Sequence, residues 1–224
     1  MGQHVTLIAA DKFELGAYRT TPAGTPKGAV VVIQEIFGVN HHIRTVCDRF
    51  AEQGYVAVAP AIFDRSERNF QSGYSAEEVA IARKFVANPD WAAMLLDTQA
   101  AIDSVKDVGP VGVIGFCLGG SVAYAAATKL VGLSAAIGYY GGAIVKFADD
   151  MPVVPTQLHF GAEDHGIPLS DVEIIRAKRP DIEVFVYDGA QHGFGCDERA
   201  SYDKASADLA RQRSLAFFAK HLVK

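Results

Sequence analysis

A cysteine framed by glycines is the feature of this 224-residue chain best spaced for covalent chemistry: Gly115-Phe116-Cys117-Leu118-Gly119-Gly120. It follows an apolar run, Val111 to Gly115, and opens an Ala-rich run from Leu118 to Lys129. A nucleophile held at the tip of a sharp strand-to-helix turn needs neighbours two positions away with almost no side chain, so that strand and helix can pass closely. Such a turn points the Leu118 N–H at an incoming carbonyl oxygen. An oxyanion donor of that kind is worth about 3–4 kcal/mol to the transition state. The positive end of the helix also favours thiolate over thiol. Two plainer readings compete: a buried cysteine is often a small core residue, and a glycine-rich turn can cradle phosphate. The glycines at 112, 115, 119 and 120 do not form G-x-G-x-x-G, however, and no Gly-Lys-Ser/Thr follows.

A nucleophile needs a base and a group that orients the base. Downstream of Cys117 come Gly161-Ala162-Glu163-Asp164-His165-Gly166 and then Asp188-Gly189-Ala190-Gln191-His192-Gly193-Phe194, each after an apolar run. Asp164 is the preferred acid, with Glu163 and Asp171 left open, and His192 is the expected base. Alone, His192 would read as a surface-loop histidine; the order nucleophile, acid, histidine changes that reading. His41, His42, His159 and His165 raise a metal alternative. No H-E-x-x-H or Cys/His knuckle spacing is present, and His159 lies within an apolar strand. No metal or cofactor is therefore expected.

These groups must be carried by a scaffold. Val5 to Ala9 and Phe13 to Arg19 read as a hairpin, and Ala29 to Ile33 as a strand buried on both faces. A helix is expected from His42 to Gln53, capped by Asn40, followed by a strand from Tyr55 to Ala59. The capping-box spacing at Ser75 opens a helix to about Ala87, and another runs from Trp91 to Val105. Strand Val111 to Gly115 and helix Leu118 to Lys129 follow, then strand Leu133 to Gly138, a loop from Tyr139 to Pro155 and strand Thr156 to Phe160. Helix Ser170 to Lys178 and strand Ile182 to Tyr187 precede a closing helix, Ser201 to Leu222, with Leu209, Leu215, Phe218 and Leu222 on one side. The alternation predicts an α/β chain with a mostly parallel sheet, helices on both faces and an N-terminal antiparallel hairpin. Functional groups then gather beyond the carboxyl ends of the strands.

Half of the residues are apolar and the formal net charge is −5. That supports one sizeable core and a single domain over residues 1–224. It offers no basic face for nucleic acid or anionic membrane, so a small-molecule partner and a monomer or small homo-oligomer are expected. Three scattered cysteines fit a reducing compartment, hence a cytoplasmic location. No stretch approaches the roughly 18 apolar residues of a membrane span, and no signal peptide is read. Met1 to Thr6 matches a loose myristoylation pattern, but Val5 to Ala10 reads as a strand.

Together the motifs resemble the dienelactone hydrolase family over most of the chain. The carrying residues are Gln34-Glu35-Ile36-Phe37-Gly38-Val39-Asn40, the Gly115 to Gly120 turn, Gly138-Tyr139-Tyr140-Gly141, the Asp164 loop and Ala190-Gln191-His192-Gly193-Phe194. The resemblance implies an α/β-hydrolase fold and a triad of Cys117, Asp164 and His192. It also implies Glu35 beside the thiol, controlling its protonation, and the Ile36 N–H as second oxyanion donor. A glutamate ending a buried strand needs a partner in any case. Members of the family hold a substrate carboxylate with arginines, one of them four residues after the histidine. Here that position is Cys196, and Arg199 and Arg83 are the candidates to take the role. Phe37 and Tyr139 are candidate pocket residues.

A thiolate leaves more readily than an amine, so attack on an amide tends to revert, whereas an enol ester or lactone can acylate the enzyme. The expectation is an esterase or lactonase rather than a peptidase. A thiol-based redox or ligand-sensing protein, pairing Cys117 with Cys196, is the alternative.

Overall fold

A computed structural model describes residues 2–222 of the chain. One eight-stranded sheet runs through it, in the order β1-β2-β4-β3-β5-β6-β7-β8. The hairpin β1 (Gln3–Ile8) and β2 (Glu14–Thr20) is antiparallel, and β2 also pairs antiparallel with β4 (Val56–Pro60). The remaining neighbours are parallel: β3 (Ala29–Ile33), β5 (Val111–Phe116), β6 (Leu133–Tyr139), β7 (Thr156–Gly161) and β8 (Glu183–Tyr187). Of the acylation pattern, Met1 lies outside the described residues, and Gln3 to Thr6 belong to β1.

The order reverses at β3. From β3 the chain goes through α1 (His41–Glu52) to β4 on one side, then through α2 (Ala76–Ala82) and α3 (Trp91–Asp103) to β5 on the other. Two connections leaving in opposite directions open a crevice outside the carboxyl ends of the strands. Glu35 and Cys117 stand just beyond β3 and β5 at that switch point.

Alternation along the central strands fills both faces. Val30, Val32, Ile114 and Phe116 pack with Ile43, Val46 and Phe50 of α1 and with Phe217 and Phe218 of α7 (Lys204–His221). Val31, Ile33 and Val113 pack on the opposite face with Ala101 and Ile102 of α3 and Val122 of α4 (Leu118–Lys129). The helices start where side chains satisfy free backbone N–H groups: Asn40 accepts from Ile43 N, Asp90 from Ala93 N, and Ser75 and Glu78 form the full capping box.

Three local expectations are corrected. The helix from Ser75 gives way after Ala82 to a 3-10 turn, Arg83–Val86, rather than continuing to Ala87. The segment from Tyr139 to Pro155 contains a short helix, α5 (Ile144–Phe147), pinned by buried Ile144. On α7 the buried stripe runs through Ser206, Ala210, Ser214 and Phe217-Phe218, so Leu209 faces solvent. Small residues let α7 lie close to the sheet, which an apolar count alone does not reveal.

The turn into α4 is set by close approach. A Cβ on Gly119 would stand 2.3 Å from the Ile33 carbonyl oxygen, and one on Gly115 would stand 1.9 Å from that of Gly119. Backbone meets backbone at both places, so no rotamer change relieves a substitution. Gly119→Ala is therefore expected to cost about 2–3 kcal/mol of stability in urea unfolding. Gly24→Ala, with nothing within 4 Å of the added carbon, should stay within about 0.5 kcal/mol of the parent. Equal midpoints for the two variants would contradict this packing.

Candidate active site

Cys117 occupies the tip of the β5–α4 turn with φ 55° and ψ −114°, a left-handed backbone for a residue with a side chain. Strain of this kind costs of order 1–3 kcal/mol and persists only where surrounding contacts enforce it. The Cys117 N–H donates to the Tyr139 carbonyl (3.0 Å), and its own carbonyl accepts from Gly120 N (3.0 Å). Leu118 is the first residue of α4, so its N–H has no acceptor within the helix. Ile36 lies half-buried just beyond β3.

The histidine and its acid meet this tip from the loops after β8 and β7. Asp164 follows β7, is 4 % exposed, and its Oδ2 lies 2.7 Å from His192 Nδ1. Its Oδ1 accepts from the N–H groups of Gly166 (2.9 Å) and Ile167 (3.2 Å), which fix the carboxylate plane. Glu163 is exposed and Asp171 sits in the first turn of α6 (Leu169–Lys178); the imidazole bonds to Asp164. Burial disfavours the charged imidazole of His192. The Cys117 charge, the Asp164 bond and a hydrogen bond with Cys117 outweigh it and raise the pKa to about 10. The Tyr140 ring, 5.1 Å away between centroids, braces the imidazole.

Glu35 is 1 % exposed, and its Oε1 accepts a 2.9 Å hydrogen bond from Arg199, 164 positions along the chain. The direct partner of Glu35 is thus the guanidinium, and Arg199 in turn feels the charge of Cys117. Arg199 lies over the rings of Phe37 and Tyr74, at 5.6 and 5.9 Å, where cation–π attraction steadies it. Phe37, Tyr74, Val79, Gln191, Arg199 and Ser201 line a cavity of about 280 Å³ beside His192. Arg83 is exposed in the 3-10 turn and does not border that cavity. Tyr139 turns away: its hydroxyl bonds Ser214 (2.7 Å), and its ring lines a larger cavity of about 390 Å³ between α1 and α7. Neither cavity has Cys117, Asp164 or His192 in its wall, but the smaller is lined by Gln191, the neighbour of His192, and by Arg199, the partner of Glu35.

The other histidines separate cleanly. His159 is fully buried between Tyr187 and Gln157, and burial lowers its pKa to about 3, leaving a neutral core residue. His165 is exposed. His42, 1 % exposed, has both ring nitrogens without a hydrogen-bond partner and lies 3.7 Å from Asp197. Cys196 is fully buried, donates to the Tyr74 hydroxyl (3.3 Å), and is pushed up to about 12, chiefly by burial. Cys196, His42 and Asp197 thus form a second thiol, imidazole and carboxylate grouping near the first. Sequence spacing gave no sign of it, nor of Tyr74, because His42 and Tyr74 lie far along the chain from the adjacent Cys196 and Asp197. All three cysteines are free.

The family model described as "Dienelactone hydrolase family" matches residues 15–222. A carboxymethylenebutenolidase of Pseudomonas putida is 30 % identical over 234 residues, spanning 96 % of this chain and 95 % of that protein. A Synechocystis sp. protein that carries the same name provisionally is 37 % identical over 96 % of this chain and 95 % of its own. A crystal structure from Klebsiella pneumoniae, described provisionally as a dienelactone hydrolase, superposes with a TM-score of 0.87 at 29 % identity, covering 98 % of each chain. No helix among the described residues is long and apolar enough to cross a membrane. The chain belongs to the dienelactone hydrolase family of α/β-hydrolases, and is a carboxylic-ester or lactone hydrolase.

Proposed function

We propose that the reaction is cleavage of a small ester or lactone carrying a carboxylate, with Cys117 as nucleophile, His192 as acid and base, and Asp164 holding His192. The observation that carries this is the Asp164–His192 bond at 2.7 Å, facing a strained, half-exposed cysteine. With its pKa at about 10, His192 stands as imidazolium at neutral pH, ready to give its proton to a leaving group. The thiolate attacks the carbonyl carbon, and the N–H groups of Leu118 and Ile36 hold the developing oxyanion. Imidazolium protonates the leaving oxygen, then as neutral imidazole takes a proton from water, which attacks the thioester and releases the acid.

Arg199 is the proposed carboxylate clamp: it borders the cavity and presents a guanidinium suited to bidentate contact. Glu35 acts on the thiol through this cation, by balancing its charge. Cys196 is not assigned the nucleophile's part. It has no exposure, and its sulfur is turned to Tyr74, so neither substrate attack nor a redox role is favoured. We expect the chain to work as one domain on a small-molecule substrate. We propose that it does so in the cytoplasm, as a monomer or small homo-oligomer.

Cys117→Ala should lower kcat/KM for p-nitrophenyl acetate by about a thousandfold or more. Inactivation by iodoacetamide should track label on Cys117; loss that tracked label on Cys196 would move the role there. Activity should fall as pH rises through about 10, because neutral His192 can no longer protonate the leaving group. In Asp164→Asn that alkaline limb should move to lower pH, since the carboxylate stabilises the protonated ring; an unmoved limb would remove Asp164 from the mechanism. Across a panel of lactones and short esters, Arg199→Lys should lose at least about tenfold in kcat/KM for carboxylate-bearing substrates relative to neutral ones. An equal loss on both would refute the clamp.

A further inference from the structure

Behind Arg199, Glu35, His42 and Cys196 offer one ligand atom each, all within 4.8 Å of one another and all fully buried. The polar atoms there are left unsatisfied to an unusual degree. Glu35 Oε2, both ring nitrogens of His42 and the Tyr140 hydroxyl are buried without hydrogen-bond partners. Tyr140 belongs to the same neighbourhood, since its hydroxyl lies against Gly195, the residue before Cys196. Buried polar groups without partners are costly, and a native structure carries few of them. Several meeting at one point call for an occupant.

We propose that Glu35, His42 and Cys196 form a binding site for a zinc-like divalent cation. A carboxylate, an imidazole and a thiolate are the donor set of a borderline-soft ion that prefers four-coordinate geometry. Bonds of about 2.0–2.3 Å place such ligand atoms roughly 3.3–3.7 Å apart, so closing the site calls for shifts of about one ångström. Glu35 is divided to suit this: Oε1 is engaged by Arg199, while Oε2 is free. The ion takes Oε2 and leaves the ion pair in place. Asp197, 3.7 Å from His42 Nδ1, stands as the outer carboxylate that orients a ligating imidazole. Glu35 and the Cys196 thiolate supply two negative charges to the ion, while Asp197, already paired with Arg49 at 2.8 Å, stays in the outer layer.

On binding, the Cys196 S–H bond breaks and a sulfur–metal bond forms. One proton leaves to solvent per ion, and Tyr74, released from accepting the thiol hydrogen, can donate to the thiolate. Neither Cys117 nor His192 is consumed, so the site stands apart from the acyl-transfer machinery, although it shares Glu35 with it.

The test is a titration of the full-length, chelator-treated protein with cobalt(II) chloride, followed by displacement with zinc chloride. One equivalent of cobalt should bind with a sulfur-to-cobalt charge-transfer band and the visible bands of a tetrahedral site. One proton should be released per ion in weak buffer. Cys196→Ser should abolish the charge-transfer band and Cys117→Ser should retain it. Asp197→Asn should weaken binding by about tenfold. Anomalous scattering at the zinc edge from soaked crystals of the unaltered protein gives a reading independent of any variant, with the peak expected between residues 35, 42 and 196. A band that survives in Cys196→Ser, the absence of saturable binding, or a water in place of the anomalous peak would each overturn the proposal.

Discussion

Gly119 carries no side chain, and everything at the rim of the sheet depends on that absence. With no Cβ to meet the Ile33 carbonyl, α4 can begin at the carboxyl end of β3 as well as of β5. The helix start, the end of the central strand and the strained cysteine between them therefore share one small volume. A larger residue would push α4 away from β3 and carry the Leu118 N–H away from the Ile36 N–H, which belong to different strands' loops. The proposed oxyanion site is therefore a product of interstrand spacing more than of either loop by itself.

The electrostatics are layered on this frame. At the rim, Asp164 spends one oxygen on backbone N–H groups and the other on His192, so the ring is oriented before substrate arrives. That bond and the neighbouring sulfur keep the ring protonated against the opposing effect of burial. Deeper in, Glu35 and Arg199 form a second charge pair whose members come from the two ends of the chain. The cation faces the cavity and the anion faces the interior. One buried pair thus presents positive charge to the cavity while its counter-charge stays behind the wall.

Much of the fold was legible in the sequence because local and global signals coincide. Ala29 to Ile33 is an unbroken β-branched run and becomes a central strand with those bounds. Leu118 to Lys129 is Ala-rich after a glycine turn and becomes a helix with those bounds. The departures occur where tertiary contact overrides local pattern. The chain after Ala82 tightens into a 3-10 turn, Ile144 nucleates a short helix by burying itself, and α7 docks through serines and alanines while Leu209 is left outside.

For the site, the triad order along the chain brought Cys117, Asp164 and His192 into view, because each follows a recognisable strand. The choice among Glu163, Asp164 and Asp171 needed geometry. So did the partner of Glu35, since nothing in spacing links residue 35 to residue 199, and the convergence of His42 and Cys196 on that carboxylate. The most direct measurement of the central claim is rapid quenching of turnover on an activated ester, followed by peptide mapping by mass spectrometry. The account predicts a transient acyl group on the peptide containing Cys117. An acyl group on Cys196, or turnover with no acylated cysteine at any time, would contradict it.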